Sequence, residues 1–401
     1  MARLLVLTPQ LPYPPRQGTA LRNWGILHGL AGRHKVDLLS FMTAEQGREI
    51  SPLLAGVVRR VEGIPQPVRH LQGRLVHMIG STRPDLAWRL EDPTFRARLR
   101  AWLQEVRYDW VVIEGLELAP YMGEVLALPK ERRPRVIFDD HNCEYLLQQR
   151  AYLADRGRPA RWAAAAYSLV QWRRLQRYEA AVCRQADLVM AVSAADAAAL
   201  QRIAPTVQPL VLPNGIHVAE YADFAGRAEL MTPAFVFTGT LDFRPNVDGL
   251  IWFLTEVWPQ IRTALPEAQV YLVGRRPHAR LAALAGTPGV VLTGPVPDTR
   301  PFIGAATVYV APLLVGGGTR LKLLEAMSMS RAIVATTLGA EGFPEPERAL
   351  VLADAPADFA AACVRLAQDG ESRAALGAQA RSYVADYDWA RLLPPLFERL
   401  G

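Results

Sequence analysis

Arg320, Lys322 and Glu325 follow directly on three consecutive glycines at 316–318. Such a cluster suits a nucleoside diphosphate. Glycine lets the main chain approach phosphate oxygens, Arg and Lys donate to those oxygens by different geometries, and a carboxylate can accept two ribose hydroxyl hydrogens. The preceding run, AATVYVAP, reads as a short buried strand, and 319–329 as a helix whose N-terminal amides point into the glycine loop. Between 321 and 330 the only charged residues are Lys322 and Glu325. A competing reading pairs these two at i,i+3 on a half-buried helix. Of the 45 basic residues only three are lysines, at 35, 130 and 322, so a lysine here stands out from its background.

Apolar runs of four to six residues alternate with helix-length segments along the chain, the pattern of α/β folding with parallel sheets. Strands are expected at 3–7, 36–40, 110–114, 135–138, 188–191 and near 210, and then at 235–238, 269–273, 290–292, 307–311, 332–335 and 349–352. Two Rossmann-like domains follow, with the boundary at LPNGIHVAEY, where Pro213, Asn214 and Gly215 break the pattern. Ligands of such sheets collect at the carboxyl ends of the strands. In the second half these ends carry Gly239 and Thr240, Gly274 and Arg275, and the turn 294–298 with Val296; Arg275 and that turn are expected to meet the base. In the first half, QLPYPPRQGTALRN places Gly18 and Thr19 at a helix start, with a ligand-free proline-rich lid as the other reading. His141 in DDHNCEY falls just beyond a strand, where an imidazole can hydrogen-bond a sugar or move a proton near neutral pH. It can equally cap the next helix with Asp140 and Asn142.

The helix at 160–184 sets Trp162, Leu169, Trp172 and Leu175 on one arc beside Arg173, Arg174 and Arg177. Packing of its tryptophans on the domain is favoured over a membrane-lying helix. The triplet Asp386-Tyr387-Asp388 has the D-x-D spacing that can hold a divalent ion, but it precedes the last helix and reads as a cap.

At 401 residues, half of them apolar, the chain can fill two cores. Cysteines 143, 183 and 363 lack metal-site spacing and suit a reducing compartment. MARLLVLTP is too short an apolar run for a signal peptide, and no stretch reaches the length that spans a bilayer, so a cytoplasmic protein is expected. Residues 1–215 hold 29 basic against 20 acidic groups, and 216–401 hold 16 against 19. Without zinc-finger spacing or aromatic-basic interleaving, nucleic acid is not the expected partner of that basic half. An anionic membrane surface, met peripherally at the inner face of the cytoplasmic membrane, or a phosphorylated lipid acceptor fits it better. Oligomeric state has no signature here.

Taken with FTGTLDFRPNVDGLIWF, VYLVGRRP, TGPVPD, LQRYEAAVCRQADLVMAVSAAD and PYPPRQGTALR, these motifs resemble a GT-B glycosyltransferase of the retaining family 4 type over nearly the whole chain. The loop GGGTRLKLLEA resembles a branch associated with bacterial exopolysaccharide or exosortase gene sets. The resemblance implies two Rossmann-like domains facing each other across a cleft: an acceptor-binding domain at 1–213, a nucleotide-sugar-binding domain at 214–380, and a helix at 381–401 crossing back. It implies metal-independent transfer of a sugar, with retention, from a UDP- or GDP-linked donor to a saccharide or lipid-linked acceptor, with no cofactor. In an E-x7-E motif the second Glu, on the donor ribose, maps onto Glu325, and the first maps onto Gly317, a departure that leaves the sugar contacts unassigned. Arg320 and Lys322 then stabilise the leaving diphosphate, with the backbone of Gly317, Gly318, Thr319 and Leu323 around it. Arg244 matches a family cation whose lysine neighbour is missing here. Gly18 matches a glycine beside the diphosphate and His141 the family's histidine near the sugar. A binding-only scaffold and a sugar-nucleotide epimerase are the rival readings on the same architecture.

Overall fold

The structure is a computed structural model and describes residues 1–15, 18–47, 49–69, 80–157, 159–315 and 320–401. The chain divides into two compact units, Met1–Pro213 with Leu393–Gly401, and Asn214–Leu392.

The first unit is built on a parallel sheet of seven strands: β1 (Arg3–Thr8), β2 (Lys35–Met42), β3 (Arg60–Pro65), β4 (Trp110–Glu114), β5 (Arg135–Asp140), β6 (Leu188–Ala191) and β7 (Leu210–Val211). Their spatial order is β3-β2-β1-β4-β5-β6-β7. The order in which successive strands are laid down reverses between β1 and β4, and that is the switch point where open α/β sheets bind ligands. Leu5, Leu7, Val111, Ile113, Val136 and Phe138 alternate onto one face and are buried in a single core. Six of the seven strands stand where the apolar runs place them. The one missed, β3, reads RVEGIP and is a half-buried edge strand with a glycine and a proline, so it offers no continuous apolar run.

The second unit repeats the plan with six parallel strands, β8 (Ala234–Thr238), β9 (Gln269–Val273), β10 (Val290–Gly294), β11 (Val308–Ala311), β12 (Ile333–Ala335) and β13 (Val351–Leu352), in the order β10-β9-β8-β11-β12-β13. Both faces are covered, as parallel sheets require. Phe235, Phe237, Val270, Leu272, Val308 and Val310 enter one core, while Val236, Tyr271, Val273, Tyr309 and Ala311 enter the other. The switch point lies between β8 and β11, so Gly239 and Pro312 leave the sheet side by side.

The helix Gly370–Val384 buries Ala380 and Val384 in the second unit. The return to the first unit falls at Leu393, later than the 381 read from the sequence. There Arg33 stacks on Phe397 at 4.3 Å in the short helix Pro394–Leu400. On the helix Trp162–Gln185, Leu175 is buried and Trp172 stacks on Tyr152 at 6.0 Å. Trp162 is 63% exposed, which corrects the expectation that both tryptophans pack. Asp388 accepts from the amides of Ala390 and Val218 at 2.8 and 3.1 Å, the capping role read for this triplet.

Candidate functional site

In the second unit the loop after β11 ends at Arg320, which caps the helix Leu321–Ser328 with extended backbone. Leu323, Leu324, Ala326 and Met327 anchor that helix in the core. This leaves Lys322 and Glu325 on its half-buried flank. Lys322 Nζ donates to Asn246 Oδ1 at 3.0 Å and lies 4.0 Å over the Phe237 ring. Asn246 Nδ2 in turn donates to the Thr240 carbonyl at 2.8 Å. Burial brings the Lys322 ammonium down to about 7, with repulsion from Arg320 adding to it and Glu325 opposing. Glu325 Oε1 accepts from the Tyr221 hydroxyl at 3.0 Å. Burial pushes this carboxyl up to about 7, against the Tyr221 hydrogen bond and the Lys322 charge. Lys322 and Glu325 thus have separate partners and do not form the i,i+3 pair.

Gly239 lies against this cation: a Cβ on it would fall 2.9 Å from Lys322 Nζ. Gly274 backs Gly239 so tightly that a Cβ there would meet the Gly239 carbonyl oxygen at 1.8 Å, so only glycine fits. The strand ends of β8 and β9 therefore deliver Gly239, Thr240 and Gly274 to one place beside Lys322. The other expected residues divide. Arg244 is held at the surface by Asp248 at 3.3 Å, an acid also taken by Arg280 at 2.7 Å. Arg275 follows β9, and its carbonyl accepts from Leu241 N at 3.0 Å. Val296 packs on the Tyr271 core beside the turn in which Asp298 pairs with Arg300 at 2.7 Å. Leu323 is wholly buried, so its side chain can offer a ligand nothing. Gly317, Gly318 and Thr319 lie outside the described residues. Asn246 and Tyr221 were not found from the sequence, although a buried asparagine at a helix start, in FRPNVDG, carries a weak signal.

In the first unit, Gly18 and Thr19 open the helix Gly18–Ala31. One turn on, Arg22 forks onto Asp139, Nε to Oδ2 at 2.7 Å and Nη2 to Oδ1 at 2.6 Å, with both side chains excluded from water. Arg22 Nη1 also donates to the Leu212 carbonyl at 2.9 Å. Parallel register sets Asp139 on β5 directly beside Glu114 on β4. Two buried carboxylates at such a distance cannot both ionise readily. Burial raises Asp139, but the Arg22 guanidinium outweighs it and holds that carboxyl far below the usual range. Burial and the Asp139 charge push Glu114 well above its ordinary value.

Just beyond β5 stands His141, its Nδ1 3.6 Å from Asp139 Oδ2 and 3.7 Å from Glu114 Oε2. Both contacts are too long for hydrogen bonds. The side chain is only 11% exposed, and neither ring nitrogen has a hydrogen-bond partner. Buried polar atoms of that kind are uncommon and mark a place where a ligand can complete the set. Gly115 makes room for the ring: it has φ +88°, and a Cβ on it would lie 2.7 Å from His141 Nε2. Glu114, Asp139 and His141 are close enough to share an ion. Arg22, however, already supplies positive charge to both Asp139 oxygens.

Residues 17–220, more than half of the chain, match Glycosyltransferase Family 4. The chain belongs to glycosyltransferase family 4. Residues 232–369 of this family 4 protein match Glycosyl transferases group 1. Among curated relatives, a phosphatidyl-myo-inositol mannosyltransferase of Mycolicibacterium smegmatis is 31% identical over 199 residues, 45% of this chain and 48% of that protein. An uncharacterized 44.6 kDa protein in the cps region of Klebsiella pneumoniae is 27% identical over 115 residues, 27% of this chain and 30% of that protein. The family 4 chain thus spans half or less of the length of these relatives. Among solved structures, sucrose-phosphate synthase from Thermosynechococcus elongatus aligns with a TM-score of 0.72 at 16% identity, covering 100% of this chain and 99% of that one. Anabaena HepE in complex with UDP aligns with a TM-score of 0.65 at 15% identity and the same coverage. At such identities these likenesses speak for the fold, which is GT-B, two parallel-sheet Rossmann-like domains.

Proposed function

We propose that this chain moves a sugar from a nucleoside-diphosphate sugar to a hydroxyl of a saccharide or lipid-linked acceptor, with retention at the anomeric carbon, without a metal, in bacterial polysaccharide or glycolipid assembly. The observation that carries this reading is Lys322, held by the neutral Asn246 amide beside Gly239, at the switch point of the second sheet. A cation whose buried charge is not matched by a carboxylate is set to take one from a ligand.

In this reading Glu325 accepts ribose hydroxyls, and Arg320 and Lys322 stabilise the leaving diphosphate. Gly239, Thr240 and Gly274 let the main chain approach the donor, and Arg275 and the Val296 turn meet the base. UDP is the first donor nucleotide to try, since HepE has been solved with UDP and with UDP-glucose; GDP is the second. His141 acts at the sugar, with Gly18 and Thr19 at the first unit's helix start near the diphosphate. Arg244, committed to Asp248, is left out of the diphosphate set.

No helix among the described residues is long and apolar enough to cross a membrane. Peripheral contact with an anionic surface is supported by Trp162, Leu153 and Val170, which are exposed on the helices Glu144–Asp155 and Trp162–Gln185. Sedimentation with vesicles containing an anionic lipid, and its loss in Trp162→Ser, tests that contact.

The reaction is tested by following UDP- and GDP-sugars by NMR in the presence of chelator and a panel of glycoside and polyprenyl-phosphate acceptors. Transfer that keeps the donor's anomeric configuration supports the reading. Inverted product, or donor binding with no turnover on any acceptor, contradicts it.

A further inference from the structure

Two acids of the motif LQRYEAAVCRQADLVMAVSAAD, Glu179 and Asp187, hold the two ends of β5. Asp187 Oδ2 accepts from Val136 N at 2.7 Å at the start of the strand. Glu179, wholly buried on the helix Trp162–Gln185, acts beyond its finish: Oε1 accepts from Glu144 N at 2.9 Å and Oε2 from Tyr145 N at 3.0 Å. These are the first two amides of the helix Glu144–Asp155, groups that no helix can satisfy from within. The local capping position is Cys143, whose side chain makes no capping hydrogen bond, while its carbonyl accepts the next two amides, Leu146 N and Leu147 N, at 3.0 and 3.2 Å. The helix that follows His141 is therefore capped from 35 residues away.

Glu179 reaches the other side of His141 as well. One of its oxygens, an oxygen of Asp140 and the Cys143 sulfur lie within 4.8 Å of one another. Burial pushes both carboxyls up, and the two amides favour charge on Glu179, so the proton of the pair stays on Asp140, where the Glu179 charge adds to burial. A protonated Asp140 can donate where an ionised one would repel. Asp140 ends β5, Glu144 opens the next helix, and between them stand only His141, Asn142 and Cys143. Both ends of the turn are thus fixed at a single carboxylate, and His141 is the residue of that turn that packs beside Gly115. A serine or aspartate at 143 would cap the helix without burying a distant charge. What Glu179 adds to a local cap is the link to β5.

We propose that Glu179 is a positioning residue for His141: it clamps both ends of the turn that carries the imidazole and so fixes where the ring stands beside Gly115. Its effect on turnover rests on the glycosyl-transfer reading above, whereas its effect on the imidazole does not. The test is Glu179→Gln in the full chain, which keeps the size of the side chain but sets an amide NH2 against one of the two backbone N–H groups. The His141 ring resonances, picked out from the seven histidines by their loss in His141→Gln, are followed by proton–nitrogen NMR, beside UDP binding and transfer from UDP- and GDP-sugars to methyl glycosides. In Glu179→Gln these resonances are expected to shift and kcat to fall about tenfold, with the donor KM and UDP affinity unchanged. Asp140→Ala, which keeps the helix cap and cuts only the link to β5, is expected to move the resonances and kcat in the same direction. Asp140→Asn, which can still donate to Glu179, should leave both as they are. If the ring resonances stay in place in Glu179→Gln or in Asp140→Ala, or move as far in Asp140→Asn as in Asp140→Ala, Glu179 only caps a helix and the proposal is overturned, while the donor reading stands. Resonances that shift as expected in a chain that transfers no sugar support the positioning and remove the transfer reading instead.

Discussion

Lys322 donates to Asn246 Oδ1 at 3.0 Å, so the only lysine of the second unit is tied to a neutral amide and not to a carboxylate. A charge in that position costs desolvation that an amide only partly offsets, which is why burial lowers this ammonium to about 7. A bound diphosphate would restore the charge.

Proton linkage follows, with a definite sign. Near pH 8 Lys322 is mostly neutral without ligand, and a phosphate beside it raises its pKa, so binding takes up a proton. Near pH 6 Lys322 is already charged, whereas Glu325, at about 7, is protonated and must release its proton to accept ribose hydroxyls. Calorimetry of UDP or GDP in buffers of different ionisation enthalpy should therefore show uptake at the higher pH and release at the lower. Lys322→Arg should abolish the uptake, because arginine stays charged throughout.

Tyr221 orients Glu325 through its hydroxyl at 3.0 Å. Tyr221→Phe should weaken nucleotide binding about fivefold, the worth of roughly 1 kcal/mol for one hydrogen bond. Its effect and that of Glu325→Gln should not add in a double-variant cycle, because both act on the same carboxylate.

Gly115 is the space His141 occupies. Gly115→Ala sets a Cβ 2.7 Å from Nε2 at a φ of +88°, so the imidazole must move. Turnover should fall about 100-fold, the scale of a misplacement near 1 Å. Nucleotide affinity, measured separately, should stay as it is.

The Arg22–Asp139 fork is a buried ion pair, and breaking one side of it strands a charge. Arg22→Met should cost about 3–5 kcal/mol in urea unfolding, and adding Asp139→Asn should recover part of the loss. Asp139 has a folded pKa below its unfolded one. Its contribution is thus fully present above the ordinary aspartate value of about 3.9 and is lost only as the pH falls through the depressed folded value. Unfolding between pH 5 and 7 should not report it.

The architecture was legible because parallel strands buried on both faces must be apolar runs. Leu4–Leu7, Val111–Ile113 and Phe235–Phe237 announce themselves, while the edge strand at Arg60, charged and broken by Gly63, does not. Lys322 and Glu325 were legible for the complementary reason, as rare charges on an otherwise apolar helix. What stayed hidden was partnership across the chain. Arg22 meets Asp139 over 117 positions, Lys322 meets Asn246 over 76, and Tyr221 meets Glu325 over 104, so no local pattern encodes them. Arg244 adds another such partnership, hidden in the sequence: it stands after β8 and pairs at the surface with Asp248 one turn along the helix.

The most direct measurement is calorimetric titration of the purified chain with UDP and with GDP in chelator, repeated for Glu325→Ala. One of the two should bind without metal, and Glu325→Ala should weaken it at least tenfold, about 1.4 kcal/mol. Binding of neither nucleotide, or binding that Glu325→Ala leaves intact, would contradict the assignment of Lys322 and Glu325 to a nucleotide donor.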